Sequence, residues 1–163
     1  ISRYLRDTNQ DDDFNTVAPY IEEADAVILA TPTYWFSIPG KVKCLIDKLY
    51  SFCVGKKEAI AGKKAGLLCT CRSQSTSDME GIIMPYHKAI DYLGWENIGE
   101  ILISSMDKPG ELQQTAGPEQ ARALADQLKD VHTTPLILKD GAFLMLSFEV
   151  IVLIRSDCAK KGM

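Results

Sequence analysis

One stretch constrains this chain more than any other: a short apolar run, a loop with three consecutive aromatic residues, then an amphipathic helical pattern, within Ala24–Cys53. Ala26–Ala30 is wholly apolar and bounded by Asp25 and Thr31-Pro32, which marks a strand buried on both faces. From Gly40 the period changes. Val42, Leu45, Ile46, Leu49, Phe52 and Cys53 recur at three- and four-residue steps on one helix face, with Lys41, Lys43, Asp47 and Lys48 largely opposite. Between them lies Thr33-Tyr34-Trp35-Phe36-Ser37-Ile38-Pro39. Successive residues of an extended loop point in different directions, so packing alone does not account for three aromatics in a row. In open parallel sheets ligands bind outside the carboxyl ends of the strands. This loop stands at such an end, and flat rings suit a flat ligand.

The rest of the chain repeats the strand–helix alternation. Phe14–Glu23 carries the stripe Phe14, Val17, Ile21 of a short helix, which Asp12 or Asp13 can cap. After the basic link Lys63-Lys64, Ala65–Thr70 reads as a second strand running into the small polar loop Cys71–Ser77. Ser77-Asp78-Met79-Glu80 has capping-box spacing, and the helix behind it buries Met79, Ile82, Ile83, Tyr86, Ile90 and Leu93, with Pro85 expected to bend it and Gly94 to stop it. A third strand is read at Glu100–Ser104. Pro118 opens a last helix with Ala121, Leu124, Ala125, Leu128 and Val131 inward. Alternating helices and strands predict an α/β fold with a parallel sheet and helices on both faces.

The run A-D-A-V-I-L-A-T-P-T-Y-W-F-S-I-P-G-K-V-K-C-L-I-D resembles the third strand, loop and helix of the flavodoxin-like, FMN-dependent NAD(P)H oxidoreductases, nearest the branch that includes the iron–sulfur flavoproteins. The matching features are Ala24-Asp25-Ala26, Thr31-Pro32-x-Tyr34, Ser37-x-Pro39 and Lys43-x-x-Ile46-Asp47, and a weaker likeness continues to about Val131. The resemblance implies a flavodoxin-like three-layer sandwich in a single domain over 1–163. Residues 1–132 are its recognisable part, and 133–163 an atypical tail with one strand.

It also implies FMN as cofactor and NAD(P)H as electron donor. Quinone-like, nitroaromatic or similar small-molecule acceptors would be reduced in a ping-pong cycle by a cytoplasmic homodimer or homotetramer. The flavin would lie on Pro32, Thr33, Tyr34, Trp35, Phe36 and Ser37, with Cys71, Arg72 and Ser73 at its pyrimidine side and Arg72 placed to stabilise negative charge on the reduced ring. The flavin itself carries the hydride chemistry, and no protein side chain is assigned a catalytic role. In the iron–sulfur branch closely spaced cysteines precede the acidic patch. Ile1–Gln10 has none, so no iron–sulfur cluster is expected.

Composition agrees with a globular domain, 46% hydrophobic and 25% charged. A net charge of −4 argues against a nucleic-acid backbone as partner, and no apolar run reaches the roughly 20 residues of a membrane span. The five cysteines are an odd number, and Cys44 and Cys53 fall on an apolar helical face; reduced, buried thiols are expected rather than a disulfide framework. Cys69-Thr-Cys71 is not a metal or redox spacing, and at least one of the two is expected buried and inert. His87 reads as a surface residue and His132 as a helix cap.

Each candidate has a plainer reading. The aromatics can cover the sheet end or form a subunit contact, and Arg72 can make a surface ion pair. The opening elements of the resembled family are missing. Its first strand and the loop that seats the FMN phosphate at a helix N-terminus, and its second strand, do not precede Ile1, so a processed chain, a fragment or a permutation is expected. Phe143–Ile154 is apolar enough to fill the place of that first strand. A permutation would pair Glu149–Ile154 in parallel with Val27–Ala30 and set Ser156 near the aromatic loop, with Arg155, Lys160, Lys161 and Gly162 completing a faint phosphate-loop pattern. The alternative to an enzyme is a catalytically inactive binding or dimerisation module of the same fold.

Overall fold

The computed structural model describes residues 14–128, 133–135 and 150–156. Helix α1 (Phe14–Glu23) leads to strand β1 (Ala26–Pro32), helices α2 (Gly40–Lys48) and α3 (Tyr50–Cys53), and strand β2 (Lys64–Thr70). Helix α4 (Glu80–Leu93), strand β3 (Glu96–Ile103) and helix α5 (Gly117–Asp126) follow, then strands β4 (Thr133–Pro135) and β5 (Val150–Ser156). The sheet order is β3-β2-β1-β5-β4.

β1, β2 and β3 are parallel, in a register that sets Pro32 beside Thr70 and Thr70 beside Ile103. Alternate side chains then face opposite layers. Val27, Ala65, Leu67 and Cys69 enter a core shared with Phe14, Ile21, Leu45, Leu49, Phe52 and the α4 residues Ile82, Tyr86, Ile90 and Leu93. Ala26 and Ile28 face the other way, onto Ile98, Ile101, Leu124 and Leu128. α5 therefore covers one face, and α1 to α4 the other. The three layers match the α/β expectation.

Two buried groups tie the layers to the sheet. Lys63, read as part of a basic link, is buried; its ammonium donates to the carbonyls of Glu22 (3.0 Å) and Ala24 (2.5 Å), closing the C-terminus of α1. Burial pulls its pKa below the ordinary lysine value, against the opposing pull of Asp25 and Glu22. The Tyr86 hydroxyl donates to Asn97 Oδ1 at 3.0 Å, and the same oxygen accepts from the amide of Gly99. Burial, then Glu100, pushes the Tyr86 phenol well above its usual value, so it stays a donor. This joins α4 to a bulge in β3, where Ala65 pairs with Asn97 but Gly66 with Gly99. The bulge turns both Ile98 and Ile101 toward α5. It also explains why β3 begins at Glu96, four residues before the stretch read from the pattern as strand.

Several expectations are corrected. α4 is not opened by a Ser77–Glu80 capping box: a 3-10 turn at Thr76–Met79 comes first, and Ser75 Oγ caps it by accepting from the Ser77 amide at 3.2 Å. Cys44 is exposed and Cys53 only half-buried, because Val42, Leu45, Leu49 and Phe52 alone fill the inward stripe. Ala125 is exposed, since α5 presents only Ala121 and Leu124 to the sheet, with Leu128 just beyond its end. The expected helix continuation at Val131 lies outside the described residues, as do Asp12, Asp13, His132 and Cys158.

The largest correction concerns β5. It occupies the slot beside β1, as expected of the tail, but it runs antiparallel, with Ala26 opposite Ile154 and Ala30 opposite Val150. β4 pairs antiparallel with β5, Thr133 opposite Ser156, and so runs in the direction of β1. The chain leaving α5 thus takes its parallel course in β4, and β5 returns against it. Ser156 consequently lies beyond Ala26, at the end of β1 opposite the aromatic loop. That position ends the permutation reading and removes Arg155 and Ser156 as phosphate contacts.

Replacing Tyr86 by Phe leaves the packing volume but deletes the donor to Asn97, whose oxygen keeps the Gly99 amide. We expect a loss of about 1 kcal/mol in urea unfolding; no loss would mean that this hydroxyl does not tie α4 to the bulge.

Candidate functional site

The parallel register brings the ends of β1 and β2 to one edge, and two loops converge there. The amide of Thr33 donates to the carbonyl of Thr70 at 2.8 Å, carrying the ladder one step past β1. The chain then reverses in a tight turn: Tyr34 and Ser37 exchange backbone hydrogen bonds of 3.2 and 3.1 Å. The two residues between them, Trp35 and Phe36, have φ of 49° and 60°. Two successive left-handed residues are the φ signature of a type I′ turn, which Asn-Gly ordinarily provides. In aromatic residues each costs on the order of 1 kcal/mol or more. The strained turn holds its rings outward. Trp35 is 92% exposed, Phe36 59% and Tyr34 51%.

The turn is braced from behind by α4. An added Cβ at Gly81 would lie 1.9 Å from the carbonyl oxygen of Phe36 and 3.5 Å from Cα of Ser37. Here helix backbone touches turn backbone, and only glycine permits it.

The second loop is tied on both sides. The Cys71 amide donates to Ile103 O (3.0 Å), Met106 N to Cys71 O (2.9 Å) and Ser105 N to Ser73 O (2.7 Å). Ser105, at φ 62°, is a third strained residue at this edge. The Ser73 hydroxyl donates to the Asp78 carboxylate. Arg72 Nε meets Asp107 Oδ1 at 2.7 Å on the surface, and Asp107 and Lys108 amides in turn donate to Glu111, holding its carboxyl below the usual range.

Between the two loops is an open cleft of about 840 Å³, lined by Thr33, Tyr34, Trp35, Phe36, Cys71, Arg72, Ser73 and Asp78. Of the residues picked out from the sequence, Thr33 to Phe36 and Cys71 to Ser73 meet in it. Pro32 ends β1 and Ser37 closes the turn, and neither lines the cleft. Cys71 is buried; burial and then Asp78 push its thiol up, so it is a neutral wall rather than a nucleophile. Cys69 is buried too, its thiol raised by burial and paired with Thr33 Oγ1 at 3.3 Å. His87 is surface-facing and pairs with Glu100 at 2.7 Å, away from the cleft. Asp78 in the cleft and Gly81 behind the turn are the two positions that sequence reasoning missed. The serine run ahead of Asp78 and a glycine inside a helical pattern were their signals.

The donor set fits a flat heterocycle. Among the described residues, the amides of Trp35, Phe36, Arg72 and Ser73 have no acceptor within the protein. The cleft offers a phosphate little: its one cation, Arg72, is engaged by Asp107, and Asp78 adds negative charge. No group of three or more His, Cys, Asp or Glu among the described residues could hold a metal.

Residues 3–129 match the family model described as Flavodoxin-like fold. The chain belongs to this flavodoxin-like family. Among flavodoxin-like relatives, an FMN-dependent NADH:quinone oxidoreductase of Pseudomonas fluorescens is 29% identical over 69% of this chain and 60% of its own length. One from Shewanella baltica is 26% identical over 71% and 62%. An iron–sulfur flavoprotein of Archaeoglobus fulgidus is 35% identical over 35% of this chain and 25% of its own. The chain thus spans less than two thirds of the length of these relatives. Among solved structures, the Bacillus subtilis Trp repressor binding protein superposes with a TM-score of 0.60 at 21% identity, covering 71% of this chain and 75% of that one. General stress protein 14 of Treponema denticola, solved in complex with FMN, gives 0.53 at 17%, covering 74% of each. These likenesses establish the flavodoxin-like fold. No helix among the described residues is long and apolar enough to cross a membrane.

Gly81→Ala tests the brace. In an unobstructed helix this change stabilises by about 1 kcal/mol. Here it should destabilise by about 1–3 kcal/mol through overpacking against a backbone oxygen, read as a lower urea midpoint. A raised midpoint would show that the turn does not rest on α4.

Proposed function

We propose that this chain is an FMN-dependent oxidoreductase that passes electrons from NAD(P)H to quinone-like or nitroaromatic acceptors. The observation that carries the reading is the strained aromatic turn, three exposed rings held against a facing loop of unpaired amides. Backbone strain of this kind is retained where the surroundings over-determine it, at ligand clamps above all. The relatives' names support FMN and a quinone-type acceptor.

When bound, the flavin supplies the hydride chemistry. The chain's own residues bind and orient it. Tyr34, Trp35 and Phe36 offer ring contacts, and the amides of Arg72 and Ser73 donate to its polar edge. Arg72, paired with Asp107 at the cleft's edge, is the positive charge nearest the ring. The neutral Cys71 thiol walls off the back. Pro32 and Ser37 set the turn rather than touch the ring. We place the protein in the cytoplasm as a homodimer or homotetramer without a nucleic-acid partner.

A second reading, an inactive flavodoxin-like binding module, is favoured by two observations: no phosphate seat among the described residues, and a carboxylate, Asp78, in the cleft. Purified protein with flavin absorption, or taking up added FMN, and oxidising NADH or NADPH in the presence of a quinone supports the enzyme. Protein that takes up no FMN sinks it.

Two outcomes are expected in titrations that follow flavin fluorescence. Tyr34→Ala combined with Trp35→Ala should weaken FMN binding at least tenfold, since stacked aromatic contacts contribute about 0.5–1.5 kcal/mol each beyond their buried area, and leave the far-UV circular dichroism unchanged. Unchanged affinity would move the site elsewhere. FMN and riboflavin should bind within about threefold of one another, because a charge-assisted phosphate contact would contribute about 1.5–3 kcal/mol. A hundredfold preference for FMN would place a phosphate seat outside the described residues.

A further inference from the structure

We infer that Asp78 is a ligand-binding residue: its carboxylate accepts the ring N–H of a cyclic imide, and with the loop amides beside it makes the cleft specific for a flat heterocycle with an acceptor–donor–acceptor edge. The inference rests on the flavin reading and deepens it.

The cleft holds two charged side chains, Arg72 and Asp78. Arg72 is turned to Asp107 on the outer side. Asp78 faces inward. It stands in the short 3-10 turn that Ser75 caps, and the Ser73 hydroxyl donates to one of its oxygens, Oδ2. Ser73 O is in turn held by the Ser105 amide at 2.7 Å, so the hydroxyl that aims the carboxylate belongs to a loop pinned to the end of β3. Asp78 is half-buried, and among the described residues Oδ1 has no hydrogen-bond partner. A half-buried carboxylate oxygen is a strong acceptor that favours an N–H donor over water when the donor arrives on an otherwise apolar ring.

The neighbours supply the rest of the pattern. The amides of Arg72 and Ser73 have no acceptor among the described residues. Two free amide donors and one carboxylate acceptor on the same wall suit a ring edge that presents two carbonyls and an N–H. The aromatic turn lining the same cleft exposes three rings, so a ligand of several fused rings gains more contact there than one of a single ring's width. A flavin meets both conditions. Uracil and thymine share the imide edge but not the width. The carboxylate also disfavours anions in the cleft, consistent with a ligand recognised by its ring.

The decisive comparison uses the unmodified chain with riboflavin and 3-methylriboflavin, which differ only in the imide hydrogen. Affinities are read by quenching of flavin fluorescence. Riboflavin should bind at least tenfold more tightly than the methylated ring. In Asp78→Ala the two should bind within twofold of each other, riboflavin having weakened to the level of the analogue. Uridine should bind at least a hundredfold more weakly than riboflavin. Equal binding of the two flavins to the unmodified chain overturns the inference, while leaving the flavin reading intact. A gap that persists in Asp78→Ala overturns it as well and assigns the imide to another acceptor. Uridine binding as tightly as riboflavin overturns the assignment to a flavin. Failure of riboflavin and FMN alike to bind removes the flavin reading, and this inference with it. The comparison of ligands needs no variant, so it stands even if Asp78→Ala does not fold.

Discussion

The parallel pairing of β1, β2 and β3 is the constraint on which everything else depends. Parallel strands cannot be joined by hairpins, so each must be followed by a crossover. In this chain α2 with α3, and then α4, make those crossovers, and they bury the face that Val27, Leu67 and Cys69 present. The same geometry sends every strand's carboxyl end to one edge. The loops there have spent no residues on strand pairing. They are held by a few bonds to the neighbouring strand end, such as Thr33 to Thr70 and Cys71 to Ile103. The cleft is thus a by-product of strand direction, shaped by which residues happen to fill the turns.

Much of the fold was legible because its signals are periodic. The apolar run at Ala26–Ala30 and the three- and four-residue repeat of Val42, Leu45, Leu49 and Phe52 each admit one interpretation, and alternation of strands with helices implies the layers. What was not legible depends on the route of the chain. The tail's apolar run showed that it belongs beside β1, but its direction follows from β4, a three-residue strand with no sequence signature. An edge of backbone N–H and C=O groups accepts a partner in either sense.

The site divides in a similar way. Three adjacent aromatics announce themselves in a loop. The left-handed conformation of Trp35 and Phe36 does not, because nothing in Trp-Phe suggests a turn normally built from Asn-Gly. Asp78 was hidden by a competing explanation. It sits inside Ser77-Asp78-Met79-Glu80, where capping-box spacing gives roles to Ser77 and Glu80 and none to Asp78, whereas the cap is Ser75. Cys44 erred the other way, since a helical stripe has an edge and one residue's rotation separates core from solvent.

The contact between Gly81 and Phe36 carries a consequence for how this region tolerates change over many generations. Most binding surfaces drift, because a lost side-chain contact can be recovered by a neighbour in small steps. Here the meeting surfaces are main chain on main chain. Substitution at Trp35 or Phe36 alters what the turn displays without moving where it sits. The displayed chemistry is therefore free to diversify on a platform of constant position, while position 81 admits no intermediate: a single added carbon already collides. A family built this way should vary its ring contacts widely and keep the frame beneath them.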